Sequence, residues 1–339
     1  MSRREQSERV RHACLKRLLR EYYASLTEIP LPDDLILREF AFQMLSGNFV
    51  RHLSFQSVAE LREFIVKEAP RNSYYSTALY SDPAAQRIED KGLIFSELLF
   101  DIDADHLPDC SASEYLLESG VTLSVISERC IEAGKQEQLK LLDVLTSFLG
   151  FSSGEITMYF TGHRGFHTVV RPRDEEWLKL TSKQRRELVD FIKLKSSERI
   201  LSEGGRKSLK FTALYFRARK FMDIDPTLGL GEALASARVE IDELVTPDLT
   251  KLVRIIKTLN GKTGFVVTPV LSESSLMDFA LTPGLSPFKG DAEVKYFYSS
   301  QEPIRLFGEV VKLVKGGRAV IPRWVAVYLA LNNVAEILC

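Results

Sequence analysis

Leu93-Ile94-Phe95-Ser96-Glu97-Leu98-Leu99-Phe100-Asp101-Ile102-Asp103-Ala104-Asp105 is a nearly continuous apolar run that ends abruptly in three carboxylates. An apolar run of this kind reads as a strand buried on both faces. Side chains alternate along a strand, so Asp101 and Asp103 leave one face while Phe100, Ile102 and Ala104 leave the other. Two carboxylates side by side repel, and a strand that ends this way calls for a cation. Mg²⁺ or Mn²⁺, hard ions that prefer oxygen ligands, suit it. The dipeptide spacing alone reads as readily as a solvated strand end. Asp105 continues the same face but falls in the turn before Pro108, and is expected to be solvent-exposed.

Outward from this strand, helical and strand-like pieces interleave. Val10, Cys14, Leu15, Leu18, Leu19 and Tyr22 recur at threes and fours, which predicts an amphipathic helix over 7–25 with Arg3, Arg4, Arg9, Arg11, Lys16, Arg17 and Arg20 on its other side. LILREFAFQML and NFVRHLSF alternate like strands, and Ser57 can cap a helix reaching Lys67. Residues 127–149 read as a helix; ITMYF and FHTVV read as strands joined by Thr161-Gly162-His163-Arg164-Gly165. Residues 175–234 read as helical and polar. VEIDELV (239–245) and GFVVTPVL (264–271) read as strands, and a last helix is expected over about 322–338, with Pro322 suited to its first turn. Helices and strands without a strict βαβ rhythm predict a mixed α/β (α+β) fold: a core of mixed β-sheets flanked by helices, formed by 1–171 and 239–339, with a basic helical insertion over 172–238.

The whole chain, 339 residues with 45% hydrophobic and 27% charged, excludes disorder, collagen and coiled coil. Its 45 Lys+Arg against 46 Asp+Glu leave a net charge of −1, so no overall basic field points to nucleic acid. The total hides polarity, however: residues 179–220 hold thirteen Lys/Arg against four Asp/Glu, a local charge of +9. Four scattered cysteines do not make a secreted disulfide scaffold. The first residues lack a signal-peptide core and no window is apolar enough for a membrane helix, so an intracellular chain is expected.

Two further elements accompany the Asp-x-Asp. Thr161-Gly162-His163-Arg164-Gly165-Phe166-His167 presents a hydroxyl, two imidazoles and a guanidinium around glycines that admit close backbone approach, a set suited to a triphosphate. Its blander reading is a Gly-rich hairpin with a core histidine. Asp242 stands amid apolar neighbours as a third metal carboxylate would, followed by Lys251-Leu252-Val253-Arg254 and Asn260-Gly261-Lys262-Thr263-Gly264. The last turn lacks the spacing of a P-loop.

Phe100-Asp101-Ile102-Asp103, then Thr161 through His167, then Asp242 through Gly264 together resemble, in that order, the catalytic small subunit of archaeal and eukaryotic DNA primases. Leu37 to Phe40, SFQSVAELREFI and IPRWVAVYLALNNVAEIL are similar to the ends of that family. The resemblance implies an archaeal cytoplasmic nucleotidyltransferase, a DNA-directed RNA polymerase that starts RNA, and in second place DNA, primers de novo on single-stranded DNA during replication. It implies two Mg²⁺ or Mn²⁺ ions on Asp101, Asp103 and Asp242, and a triphosphate held by Thr161, His163, Arg164, His167 and Arg254, with Arg38 reaching the same place and Asn260 in a position usually filled by histidine. Implied partners are the primase large subunit, a single-stranded template, an RNA or DNA primer, and ribo- or deoxynucleotides, with no membrane. Family members usually carry a zinc knuckle after the Asp-x-Asp. Here residues 106–135 keep only Cys110 and Cys130, with His106 as a third candidate ligand, so zinc is not expected and a Cys110–Cys130 disulfide is the alternative. The rival readings are a catalytically silent nucleic-acid-binding relative and a stand-alone primase-polymerase or end-joining polymerase. Tyr215 and Phe216, beside Arg217, Arg219 and Lys220, are candidates to touch nucleic acid, a solvated helical face or a subunit-docking surface being the alternatives.

Overall fold

The computed structural model describes residues 12–108, 110–195 and 212–339. The start of the expected first helix, with Arg3, Arg4, Arg9 and Arg11, and residues 196–211 of the basic insertion lie outside these.

Every strand pairing among the described residues is antiparallel, so the fold is α+β with no βαβ unit. Two four-stranded sheets dominate. The first runs Leu252–Arg254, Asn72–Ser76, Phe40–Gln43, Phe49–Leu53; the second runs Thr268–Val270, Ile156–Phe160, Gly165–Val170, Leu98–Asp103. A three-stranded sheet near the C-terminus places Asp291–Tyr296 between Arg318–Pro322 and Ala335–Ile337.

The apolar run that opened the reading is two strands, not one. Leu93–Ser96 pairs with Ala78–Tyr80, whereas Leu98–Asp103 forms the edge of the second sheet. The chain breaks at Glu97 because the carbonyls of Ser96 and Glu97 accept from the buried guanidinium of Arg185 and the Glu97 side chain is held by Arg38. Beyond the break the strand is buried on both sides: Leu99 joins the main core with Phe40, Tyr75, Tyr159 and Val253, while Leu98, Phe100 and Ile102 pack in a second cluster with Leu141, Val189 and Ile192. That double burial explains the absence of polar alternation until Asp101.

The helices follow their periodicity. Ala13–Ser25 buries Cys14, Leu15, Leu19 and Tyr23. Val58–Glu68 starts where the Ser57 hydroxyl accepts from the Glu60 N–H and stops at Ala69, whose φ of 48° no helix continues. Glu128–Asp143 is capped in the same manner by Ser127. The final helix is shorter than expected, Arg323–Leu331; Asn333 at φ 56° turns the chain so that Ala335–Ile337 adds a strand. VEIDELV is not a strand either but a turn.

The insertion is helical over Ser182–Ile192, Ala213–Ile224 and Leu230–Ala237. Its positive charge is partly spent inside the protein. Arg185 and Arg217 are buried, the latter donating to the carbonyls of Phe191, Ile192 and Ala237, and Lys193, Lys195 and Lys220 pair with Glu240, Glu243 and Asp143. Two disulfides staple the fold. Cys110–Cys130 ties the loop after Asp105 to the helix Glu128–Asp143, and Cys14–Cys339, a pair not anticipated, joins the first described helix to the last residue. The Cys110–Cys130 pairing is the disulfide that the sequence offered for these two cysteines.

Candidate active site

Asp101 and Asp103 sit at the end of the Leu98–Asp103 edge strand, opposite His167 and Gly165 of the neighbouring strand. Asp242 comes to them through the backbone. Its N–H donates to the Asp101 carbonyl (2.8 Å), and four residues on the Thr246 hydroxyl donates to the Leu99 carbonyl (2.7 Å). The turn therefore takes up the free edge of the Asp101 strand, and its third carboxylate lies beside the first. The N–H of Leu244 donates to Asp242 Oδ1 and fixes the rotamer.

The electrostatics are unbalanced. Burial and the Asp242 carboxylate push the Asp101 carboxyl up to about 6, against the pull of Arg254, Arg164 and Lys251. Burial and Asp101 raise Asp103 as well, opposed by Arg164. Among the described residues no lysine or arginine contacts Asp101 or Asp242 within 4.0 Å; the nearest nitrogen base is His167, whose Nε2 is 3.4 Å from Asp101 Oδ1. Burial and Arg254 push His167 down to about 3, so its ring is neutral at physiological pH. The Tyr159 hydroxyl, 3.1 Å from Nδ1, stays protonated because burial raises it far above its ordinary value. The single N–H of the neutral ring is best placed on Nε2, against the ionised Asp101 carboxylate, and Nδ1 then accepts from the Tyr159 hydroxyl. His163 is likewise neutral, pushed down to about 3 by burial and by Lys262, Arg164 and Arg254; its charge does not change near neutrality.

The glycines between the two strands are required by space. Gly162 is at φ 83°, and a Cβ on Gly165 would lie 2.0 Å from the Ile102 carbonyl oxygen. The turn they form aims Arg164 back at the carboxylates: Nε and Nη2 reach both oxygens of Asp103 (3.1 and 2.9 Å), and Nη1 donates to Asp105. Asp105 is thus half-buried in an ion pair and not solvent-exposed as expected. Asp103, Asp105 and His106 bring one ligand atom each within 4.8 Å of one another, a grouping the sequence reading did not single out. The donor set at the strand end, several carboxylate oxygens sharing one arginine, with no lysine or arginine in contact with Asp101 or Asp242 among the described residues, fits a hard divalent cation.

Arg254, on the first sheet, lies over the Tyr74 ring (5.1 Å) with Nη1 donating to Asn72 Oδ1 (2.5 Å), and its charge bears on Asp101 and His167. Three other expected ligand residues are internally committed. The Thr161 hydroxyl donates to the Gly165 carbonyl (3.1 Å). Asn260 is a buried strut whose amide donates to the Thr161 carbonyl (2.9 Å) and accepts from the Lys262 N–H (2.9 Å), fastening the Gly-Lys-Thr-Gly turn to the Thr161–Gly165 turn. Arg38 is the clearest departure. Fully buried, it donates to Asp34 (2.6 Å), both oxygens of Glu97 (2.6 and 3.0 Å) and the Ser76 carbonyl (2.7 Å), which commits four of the five guanidinium N–H groups inside the protein. Its motif position predicted a cation but could not reveal these two buried acids. Lys251, which pulls on Asp101, and Tyr159, whose hydroxyl bonds His167 Nδ1, were not anticipated as contributors to the site.

Comparison with known proteins gives the family of the chain. Residues 100–271 match the DNA primase small subunit family, a span that begins with Phe100-Asp101-Ile102-Asp103 and includes the other two motifs. The DNA primase small subunit PriS of Hyperthermus butylicus is 34% identical over 95% of both chains. That of Pyrobaculum aerophilum is 36% identical over 94% of this chain and 97% of its own, and that of Saccharolobus solfataricus 33% over 95% and 94%. A solved structure, the polymerase domain of Mycobacterium tuberculosis ligase D in complex with DNA, is similar at 13% identity with a TM-score of 0.42, covering 78% of this chain and 85% of that one, a likeness too distant to bear on function. Identity at the level of the three PriS proteins, sustained from one end of the chain to the other, places this protein in the DNA primase small subunit family.

Proposed function

We propose that this chain is the catalytic subunit of a primase that joins nucleotides de novo into short primers on single-stranded DNA, working with a primase large subunit. The observation that carries the reading is Asp101, with no lysine or arginine in contact among the described residues, beside Asp103 on the same strand and with Asp242 fastened to it by a backbone hydrogen bond. Asp101, Asp103 and Asp242 would hold two divalent cations, Mg²⁺ or Mn²⁺. Such ions, when bound, supply charge neutralisation for an attacking primer hydroxyl and a leaving pyrophosphate.

The protein's own groups bind and orient. Arg254 is placed by Tyr74 and Asn72 to meet phosphate oxygens, and Arg164 presents a planar fork of donors on a turn whose glycines allow close approach. His163 and His167, neutral at working pH, serve as hydrogen-bond donors and not as charges. With reactants held this way, positioning and charge supply most of the rate, and no nucleophilic side chain is needed.

The test is primer synthesis from labelled nucleotides on unprimed single-stranded DNA, with and without a candidate large subunit, and sizing of the products. Asp101→Ala and Asp103→Ala should each lower synthesis by about a thousandfold or more while the far-UV spectrum stays native. Normal priming by either variant would overturn the assignment of the carboxylates.

A further inference from the structure

The first sheet carries an aromatic track of which the chemistry above uses only Tyr74, to place Arg254. Alternation puts Asn72, Tyr74 and Ser76 on one face of their strand. Across the sheet Arg254 is paired with Tyr74, and Gln43 with both Asn72 and Phe49. Phe49, Tyr74 and Arg254 therefore share one face, opposite the one from which Phe42 and Tyr75 fill the core. The Phe49 and Tyr74 rings meet edge to face with centroids 5.9 Å apart, the Arg254 guanidinium lies 5.1 Å from the Tyr74 centroid, and the strand order places Tyr74 between Arg254 and Phe49.

Phe49 is 50% exposed and sits on the outermost strand of its sheet. Half of its apolar surface contributes nothing to folding. Two residues on and on the same side, Arg51 keeps 36% of its side chain exposed although Glu39 holds its Nε. An exposed aromatic ring on an open sheet edge, with a half-buried ring and cations beside it, is a combination that binds single-stranded nucleic acid without sequence preference, since every base has a π face and every nucleotide a phosphate.

We propose that Phe49 and Tyr74 form a stacking ledge for a base of the single-stranded template, which passes over the edge of the first sheet on its way to the carboxylates. This rests on the polymerase reading above. The template is the occupant because the Tyr74 ring separates Phe49 from Arg254. A nucleotide whose phosphates lie against Arg254 and Arg164 must pair its base with the template, so the next surface outward belongs to the template strand.

The experiment is fluorescence anisotropy of a labelled oligo-dT titrated with the full chain, together with steady-state kinetics at saturating template. Phe49→Ala should weaken oligo-dT binding about five- to tenfold and leave the nucleotide KM within about twofold, at an unchanged melting temperature. Phe49→Trp should keep the affinity, and its added fluorescence, read against the background of Trp177 and Trp324, should be quenched by unlabelled oligo-dT. Oligo-dT affinity unchanged in Phe49→Ala, or fluorescence of Phe49→Trp unmoved by oligo-dT, overturns the proposal; so does a rise in nucleotide KM with oligo-dT affinity intact, which assigns the ledge to the incoming base. Asp101→Ala separates the two readings. It should bind oligo-dT as tightly as the wild type, and if it also primes, the catalytic assignment fails while the ledge stands.

Discussion

The segment from Glu97 to Asp103 carries two kinds of buried carboxylate only a few residues apart. Glu97 lies in a saturated cluster: Arg38 holds both of its oxygens, Asp34 accepts from the same Arg38, and Arg171 approaches Asp34 at 2.6 Å. Glu39 next door is similarly supplied. Burial pushes it up, but Arg51, the His52 N–H and Lys91 outweigh burial and hold it below the usual carboxylate range. Asp101, by contrast, faces another carboxylate and a neutral imidazole, and rises to about 6. Glu97 and Glu39 are fully buried and Asp101 keeps 20% of its side chain exposed, yet it is the more exposed acid that is raised, because what differs is the count of cations within reach. A buried acid with its counter-charges in place holds the fold together, whereas one without them is stable only when something from outside supplies the charge.

Arg38→Met should give the largest stability effect that tests this contrast. It strips Glu97 and Asp34 of their shared partner at a fully buried position, and loss of one member of such a pair costs about 3–5 kcal/mol. Urea denaturation reads it, and the surviving folded enzyme should keep its nucleotide KM. A tenfold rise in KM at unchanged stability would instead return Arg38 to the triphosphate, where the family resemblance had placed it, and the contrast between the two clusters would be lost.

Asp101→Asn tests the starved side. Because burial and Asp242 raise this carboxyl to about 6, the folded chain holds its proton more tightly than the unfolded chain does. The stability this contributes is complete below about pH 4 and is lost as the pH rises through 6. At pH 7 without divalent cations, the asparagine variant should be more stable than the wild type by on the order of 2 kcal/mol, and the gap should close as the pH falls to 4. Mn²⁺ should raise the melting temperature of the wild type and not of the variant. A variant less stable than the wild type at pH 7 would mean that Asp101 is already compensated.

Much of this was legible in the residues because the relevant signals are local. The apolar run into Asp101 and Asp103, the glycines around Arg164 and the helix spacing from Cys14 to Tyr22 each express a short-range constraint that the fold obeys. What was not legible is set by partners far away in sequence. The strand break at Glu97 depends on Arg185, the burial of Arg38 on Glu97, and the Cys14–Cys339 disulfide joins residues 325 apart. Asp105 looked like a turn residue bound for solvent, and became half of an ion pair because the Thr161–Gly165 turn points Arg164 at it. Charge counting is coarse in the same way: of the +9 of residues 179–220, two arginines, Arg185 and Arg217, are buried against carbonyls of the protein itself.

Arg164 is where the two kinds of cluster meet, and it gives the smallest and most discriminating effect. It clamps Asp103 through both oxygens and Asp105 through a third bond, yet all three side chains stay a quarter to a third exposed, so solvent weakens the clamp. A cation that takes Asp103 must compete with this guanidinium, and a triphosphate that takes the guanidinium releases Asp103; each ligand thereby eases the binding of the other. Arg164→Gln should therefore bind Mn²⁺ about threefold to fivefold more tightly in the absence of nucleotide, while its nucleotide KM rises and the synergy between the two ligands vanishes. Isothermal titration of Mn²⁺ with and without a non-hydrolysable nucleotide measures all three. If Arg164→Gln instead weakens Mn²⁺ binding, the guanidinium organises Asp103 for the cation, and the boundary between the saturated and the starved carboxylates runs on the other side of Asp103.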